Sequence, residues 1–366
     1  MGIKLITTIG EVSLLLTKGY CPVREEWITP VREAFNLDKY QRLSPSLQRK
    51  LCCTAAATGA FEKASAIASE WGCEISDDAI RNCVQSVGEK AIRTPLETPC
   101  AERAAKDDVL IIMMDGWMAR HRGKDWGKKK HRHEDERVQW HEIKSAVIYR
   151  LRDRVEISPK RHALISKHVV ATPSKTDPTT FGQRVQHEAF RMGLAQARSV
   201  YVVMDGAVWL WNIFEDRFKQ CATGTLDFFH ASEHLHALAD ELFPDDKSEA
   251  VAWCKRILKS LKRYSSKKLF RTLAELTENP PKHDDATMQA IQNADTYFQK
   301  HRKHMNYPDA AKSGLPIGSG SMESQCSQFQ NRFKRTGQFW SRDGFAALLE
   351  IAVRYQNGEI RSLWAA

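Results

Sequence analysis

Hydrophobic positions in this chain change period several times, and each change marks an element. Val109 to Met114 is a run of six apolar residues, the length and composition of a short buried strand. It stops on Asp115 and Gly116. Val200 to Met204 repeats the phrase and stops on Asp205 and Gly206. Val138–Leu151 and His162–Pro173 predict two more strands, and Phe181–Ala197 carries helical spacing. Gly224–Phe243 reads as a short strand running into a helix. Strands first, then strand–helix alternation, predict an α/β fold: a mixed sheet with flanking helices.

The remaining segments read as helical. Residues 1 to about 105 are largely helical after a strand-like start. Within them, Phe61–Ala91 holds two helical patterns: Gly72 ends the first, and Ser76 with Asp77 caps the second. A DNA-binding helix-turn-helix and an ordinary helical hairpin fit this outline equally. Arg93–Cys100, with two prolines, reads as a linker. From about 244 to 312, Val251, Cys254, Leu258 and Leu261 keep helical spacing, as do Met288, Ile291, Ala294 and Phe298. A Gly-rich turn, "GLPIGSGSMES", opens a last long helix from about Ser321.

Composition narrows the class. The chain has 366 residues, 42% of them hydrophobic, enough for a substantial core. No apolar run approaches the ~20 residues that span a bilayer. The opening lacks the pattern of a signal peptide or a myristoylation site. Nine scattered cysteines without a Cys-x-x-Cys pair suggest reduced thiols and a cytoplasmic location. Net charge is +10, with a pI near 9.1, which suits a polyanion-binding surface. The charge is concentrated. Arg120–His133 holds seven Lys or Arg and one acid, and a second series, Lys255, Arg256, Lys259, Lys262, Arg263, Lys267 and Lys268, lies on a predicted helix.

An aspartate after a strand is ordinarily a turn residue. Two with matching flanks suggest another use. A two-metal phosphodiester enzyme needs carboxylates that converge from separate elements, and Mg²⁺ takes oxygen ligands while keeping exchangeable waters. Asp115 and Asp205 qualify. Glu323 is the third candidate: it follows the flexible "GSGS" and falls in a first helical turn, where an acid also complements the helix dipole.

The ordered set "MMDGW", "VVMDGAVWLWN", "LDFFHASEHL", "GLPIGSGSMES" and "RTGQFWSRDG" resembles the DDE transposases of bacterial insertion sequences, in particular the ISKra type. The match covers about residues 105 to 366. The resemblance implies an RNase H-like core over 106–366, interrupted by a helical insertion at about 244–312, behind an N-terminal helical region. It places the catalytic and metal-binding triad on Asp115, Asp205 and Glu323, with two Mg²⁺ per site, or Mn²⁺ in their place. It implies double-stranded DNA partners, both transposon ends and target, and a homodimer or higher assembly on DNA in a bacterial, nucleoid-associated setting. It also draws attention to Asp227 and His230, similar to an Asp-x-x-His element of related transposases, where His230 would serve the site. An N-cap for Asp227 and a packed core histidine at 230 are the plain alternatives. The family's N-terminal zinc-ribbon is not expected: "GYCPVREEWITPVREAFNL" keeps only Cys21.

Around these acids, Arg120, Arg122, Lys128, Lys129, Lys130, Asn331 and Lys334 are the candidate DNA contacts, through sequence-independent, salt-sensitive phosphate binding. Glu323, Gln330 and Lys334 share a helix face. Trp340 either stacks on an unpaired base or fills the core. Two other readings use the same residues: an RNase H-like nuclease without strand transfer, and an inactive transposase-derived DNA-binding protein.

Overall fold

The computed structural model describes residues 2–35, 37–38, 41–94, 108–123, 126, 138–159, 161–281 and 284–364. The chain opens with two small antiparallel hairpins, β1 (Gly2–Thr7) with β2 (Gly10–Leu15) and β3 (Gly19–Cys21) with β4 (Glu26–Ile28). The strand-like start is thus four short strands. Helices follow: α1 (Pro30–Ala34), α2 (Pro45–Ala57), α3 (Phe61–Glu70) and α4 (Asp77–Arg93). Most of the expected linker after Arg93, residues 95–100, lies outside the described residues.

The central sheet is built from β5 (Val109–His121), β6 (Gln139–Arg150), β9 (His168–Thr172), β10 (Ser199–Met204) and β11 (Ala222–Leu226), in the order β11-β10-β5-β6-β9. A side hairpin, β7 (Arg154–Ser158) with β8 (Arg161–Leu164), interrupts it. The strand expected over His162–Pro173 therefore splits in two. β5 pairs antiparallel with β6, β6 antiparallel with β9, and β10 parallel with both β5 and β11. This five-stranded mixed sheet with helices on both faces is compatible with an RNase H-like fold.

β5 does not end at Met114; it runs on to His121. Its parallel pairing with β10 stops at Met113, but its antiparallel partner β6 continues and carries it through Gly116–His121. In that extension Trp117, Ala119 and His121 are buried while Met118 is exposed. The signal there is a period of two, not an apolar run.

Side chains alternate across the sheet and separate two cores. Leu110, Ile112 and Met114 face one side, with α5 (Pro178–Arg191), α6 (Val208–Ile213) and α7 (Phe228–Leu242). That core continues into α8 (Lys247–Arg263), α9 (Lys267–Glu278) and α10 (Asp285–Lys300). Ile111, Met113 and Trp117 face the other side. There they pack with Leu47, Leu51, Ile80 and Val84 of the N-terminal helices, with α12 (Gly320–Phe333), and with α13 (Arg342–Gln356). The short α11 (Tyr307–Lys312) precedes α12. The last helical stretch is thus two helices, broken at Lys334–Trp340.

α4 is the central helix of the N-terminal group. Ser76 caps it by accepting from the Ala79 amide, and Ile80, Cys83, Val84, Val87 and Ala91 are buried. A Cβ on Gly88 would sit 2.6 Å from Ala347 of α13, so glycine lets the two helices meet closely. No helix among the described residues is long and apolar enough to cross a membrane.

Candidate active site

Val203 of β10 lies opposite Met113 of β5, and both point into the core shared with α12. Two residues further along lie Asp115, still within β5, and Asp205, just past the end of β10. The two half-buried acids affect one another directly: burial first, and then the Asp205 carboxylate, push Asp115 up to about 6, against the pull of the Gly116 amide and His230. Gly116 N donates to Asp115 Oδ1 at 2.7 Å, and Ala207 N donates to Asp205 Oδ1 at 2.8 Å. A carboxylate oxygen accepts more than one hydrogen bond, so a single amide saturates neither group.

α12 covers this face. Phe329 stacks on Trp117 at 5.6 Å, and Cys326 Sγ donates to Asp115 Oδ2 at 3.8 Å. Glu323, three residues earlier on the same helix, is exposed, with Oε1 3.4 Å from Ser319 Oγ. Burial, Asp115 and Glu323 together raise the Cys326 thiol far above its usual range, so it stays protonated between the two acids.

Asp227 joins two helix starts. It is fully buried and caps α7 by accepting from Phe229 N at 2.6 Å and His230 N at 3.3 Å. Its other oxygen accepts from Ser319 N at 2.6 Å and from Ser319 Oγ. The N-cap alternative for Asp227 holds, and the same carboxylate ties α7 to the start of α12. His230 is not a core histidine. It is half-exposed, its Nδ1 lies 3.6 Å from Asp227 Oδ2, and its contact with Asp227, helped by Asp205 and Glu233, raises it to about 9. It is therefore cationic at neutral pH, beside the two aspartates.

Tyr297, from α10, was invisible to sequence reasoning. A Cβ on Gly206 would fall 2.3 Å from its ring, so glycine after Asp205 is required by this close approach. Its ring stacks on His234 at 3.6 Å, and its hydroxyl is buried with no hydrogen-bond partner among the described residues. Burial and the acids Asp205, Asp227 and Glu233 raise the phenol far above its usual range. The sequence signal was indirect: His234 falls one turn beyond His230 on α7, and Tyr297 reads as one more position on an amphipathic helix.

The candidate DNA contacts gather farther along β5 and α12. Arg120 pairs with Trp140 across the hairpin and stacks between Trp140 and Phe339, at 5.4 and 5.1 Å. Lys334, the C-cap of α12, lies 5.1 Å from the same Trp140 ring. Asn331 is exposed one turn before Arg335, whose side chain bonds the Asn331 carbonyl. Arg122 is half-buried and its amide donates to the Trp340 carbonyl at 2.9 Å. Trp340 packs on Phe333 and Phe345 and donates its indole N–H to the Phe333 carbonyl at 2.8 Å, beside a cavity of about 340 Å³. Its ring thus fills core space while its edge stays partly exposed. Lys128, Lys129 and Lys130 lie outside the described residues.

In donor chemistry, three carboxylates suit a hard divalent cation, and the mutual repulsion of Asp115 and Asp205 is what such an ion relieves. Among the described residues, however, no three His, Cys, Asp or Glu side chains form a ready metal-binding group. Asp115 and Asp205 are the assembled part, and Cys326 stands between Asp115 and Glu323.

No protein-family model and no curated protein matches the chain. Among solved structures, a Drosophila P element transposase strand transfer complex is similar at 11% identity, over 86% of this chain and 78% of that one, with a TM-score of 0.29. NurA is similar at 14% identity, over 77% and 62%, with a TM-score of 0.13. The reading of the site therefore stands on its own residues.

Proposed function

We propose that the chain is a DNA transposase of the DDE class, of the insertion-sequence type that its motifs resemble. In this reading residues 106–366 form an RNase H-like catalytic core, α8–α11 are its helical insertion, and the protein works as a dimer or larger assembly on DNA. The observation that carries the reading is that Asp205, just past the end of β10, lies close enough to Asp115 of the neighbouring parallel strand to act on its carboxyl, on the side where the helix bearing Glu323 packs.

Each residue then has a task. Asp115, Asp205 and Glu323 would hold two Mg²⁺, which when bound supply an activated water and neutralise charge on the leaving oxygen. Cationic His230 binds a phosphate oxygen of the strand to be cut. Asp227 fixes both His230 and the start of α12. Arg120, Asn331 and Lys334 hold the DNA backbone further along. The 3′-OH released by cleavage is the nucleophile for joining to target DNA, so no covalent bond to the protein is needed.

The test is cleavage and strand transfer on DNA carrying the element's own ends. Joined products that require Mg²⁺ or Mn²⁺ and fall at least ~100-fold in Asp205→Asn are expected, since even ligand-supporting residues are worth 10- to 100-fold. Cut but never joined products would favour the nuclease reading. Ends that are bound and never cut by either protein would make the chain a DNA-binding protein.

A further inference from the structure

A strongly basic surface runs along α8 and α9, apart from the acids of the candidate site. Lys255, Lys259 and Lys262 follow one another at helical spacing along α8, with Arg263 adjoining, and a short turn leads to Lys267 and Lys268 at the start of α9. All six are exposed. The opposite side of α8, Ala250, Trp253, Cys254, Ile257 and Leu261, is buried. Arg256 is paired with Glu249 at 2.8 Å, whereas none of the six meets a carboxylate within ion-pair distance among the described residues. Among the described residues the face therefore carries positive charge with no internal counterpart.

Its position gives it meaning. Lys262 Nζ lies 5.5 Å from the ring of Phe228, the residue between the Asp227 clamp and the turn that bears His230. The basic face thus begins beside the candidate site and leads away along α8 and α9. The Arg120–Lys334 tract leaves the same site along β5 and α12. The two differ in kind. Arg120 and Lys334 are stacked on aromatic rings, a setting suited to a strand end with unstacked bases. The α8–α9 tract is mainly lysines, point charges that bind phosphate without reading bases.

We infer that the exposed basic face of α8 and α9 holds a second DNA duplex, the one of arbitrary sequence, while the Arg120–Lys334 tract holds the end that is cut. The inference rests on the proposed function, which requires two DNA partners at one set of acids. Successive lysines along α8 rise by about 4.5 to 6 Å, while duplex DNA carries one charge per ~1.7 Å of axis. Every lysine on the face therefore finds a phosphate whatever the sequence. An anionic membrane surface fits less well, because the apolar side of α8 is already buried in the core and is not free to insert.

The experiment uses the full chain with Lys255, Lys259, Lys262 and Arg263 all changed to Gln, compared with wild type. Two quantities are read: binding of a duplex of unrelated sequence as a function of salt, and cleavage of the end-bearing DNA. Affinity for the unrelated duplex should fall at least ~10-fold, and the log–log salt slope should flatten by about 3 to 4, near 0.9 per lost phosphate contact. End cleavage should stay within about twofold. Changing the three lysines to Arg should preserve binding. An unchanged slope and affinity would overturn the inference, as would loss of binding to phosphatidylserine vesicles with DNA binding intact. The two proposals fail separately. Wild type that cuts ends while the Gln variant still captures the unrelated duplex sinks this inference alone. Wild type that never cuts sinks the functional reading, whatever the slope does.

Discussion

At the scale of single residues, Asp115 is where function and stability oppose each other. Burial and Asp205 push its carboxyl up to about 6, above the ~3.9 of a free Asp. Between those two values the folded chain binds the proton more tightly than the unfolded chain. This group therefore makes stability fall as pH rises through that window, and at pH 7 its ionisation costs on the order of 3 kcal/mol. Asp115→Asn removes the cost. Without divalent cation at pH 7, the variant should melt a few degrees higher than wild type, and the advantage should vanish near pH 4. It should at the same time lose metal-dependent cleavage. A lower melting temperature at pH 7 would mean that the ionised carboxylate is a structural partner. Such acids are legible in sequence because an aspartate is out of place after an apolar strand. Tyr297 was not legible, because nothing in a helical pattern distinguishes a tyrosine that packs inward from one aimed at a site.

Between elements, the controlling contact is the Asp227 carboxylate shared by the starts of α7 and α12. Asp227 and Ser319 are 92 residues apart, so neither periodicity nor local capping rules reveal the link; only the N-cap half was within reach of sequence. The sheet was more legible, since each strand has its own period. What sequence missed was that β5 outruns its apolar segment, because a strand's length is set by its partners. Asp227→Asn keeps the volume but offers one acceptor where the protein uses two oxygens. It leaves buried donors on Ser319 or Phe229 without a partner, at a cost of about 2–4 kcal/mol. It also removes the charge that holds His230 cationic. Cleavage should drop at least ~10-fold, and the titration of His230 followed by NMR should move down from about 9 toward the ordinary histidine range. If His230 still titrates near 9 in this variant, Asp205 and Glu233 carry the effect and the clamp is purely mechanical.

The molecule as a whole has two cores divided by one sheet, and the N-terminal helices belong to the second. Leu47, Leu51, Ile80 and Val84 are essentially inaccessible and share a cluster with Ile111, Met113 and Phe345. Arg354 of α13 also donates to the carbonyls of Ala91 and Thr94 at 2.7 Å, and Arg332 of α12 to the carbonyl of Ala55 at 2.9 Å. The sequence reading of a helical region ahead of a catalytic core names two functions, but this packing joins them physically. Removing residues 1–104 would expose one side of α12 and α13. Each large side chain uncovered would forfeit about 1.5–3 kcal/mol, against a total stability of only about 5–15 kcal/mol for a typical domain. A chain beginning at residue 105 should therefore show no cooperative thermal transition. It should also bind a dye for exposed apolar surface, and it should not hold α12 against β5. A cooperative transition in that shortened chain, with metal-dependent cleavage retained, would show instead that the sheet and its C-terminal helices fold alone and that the N-terminal helices are docked onto a finished core.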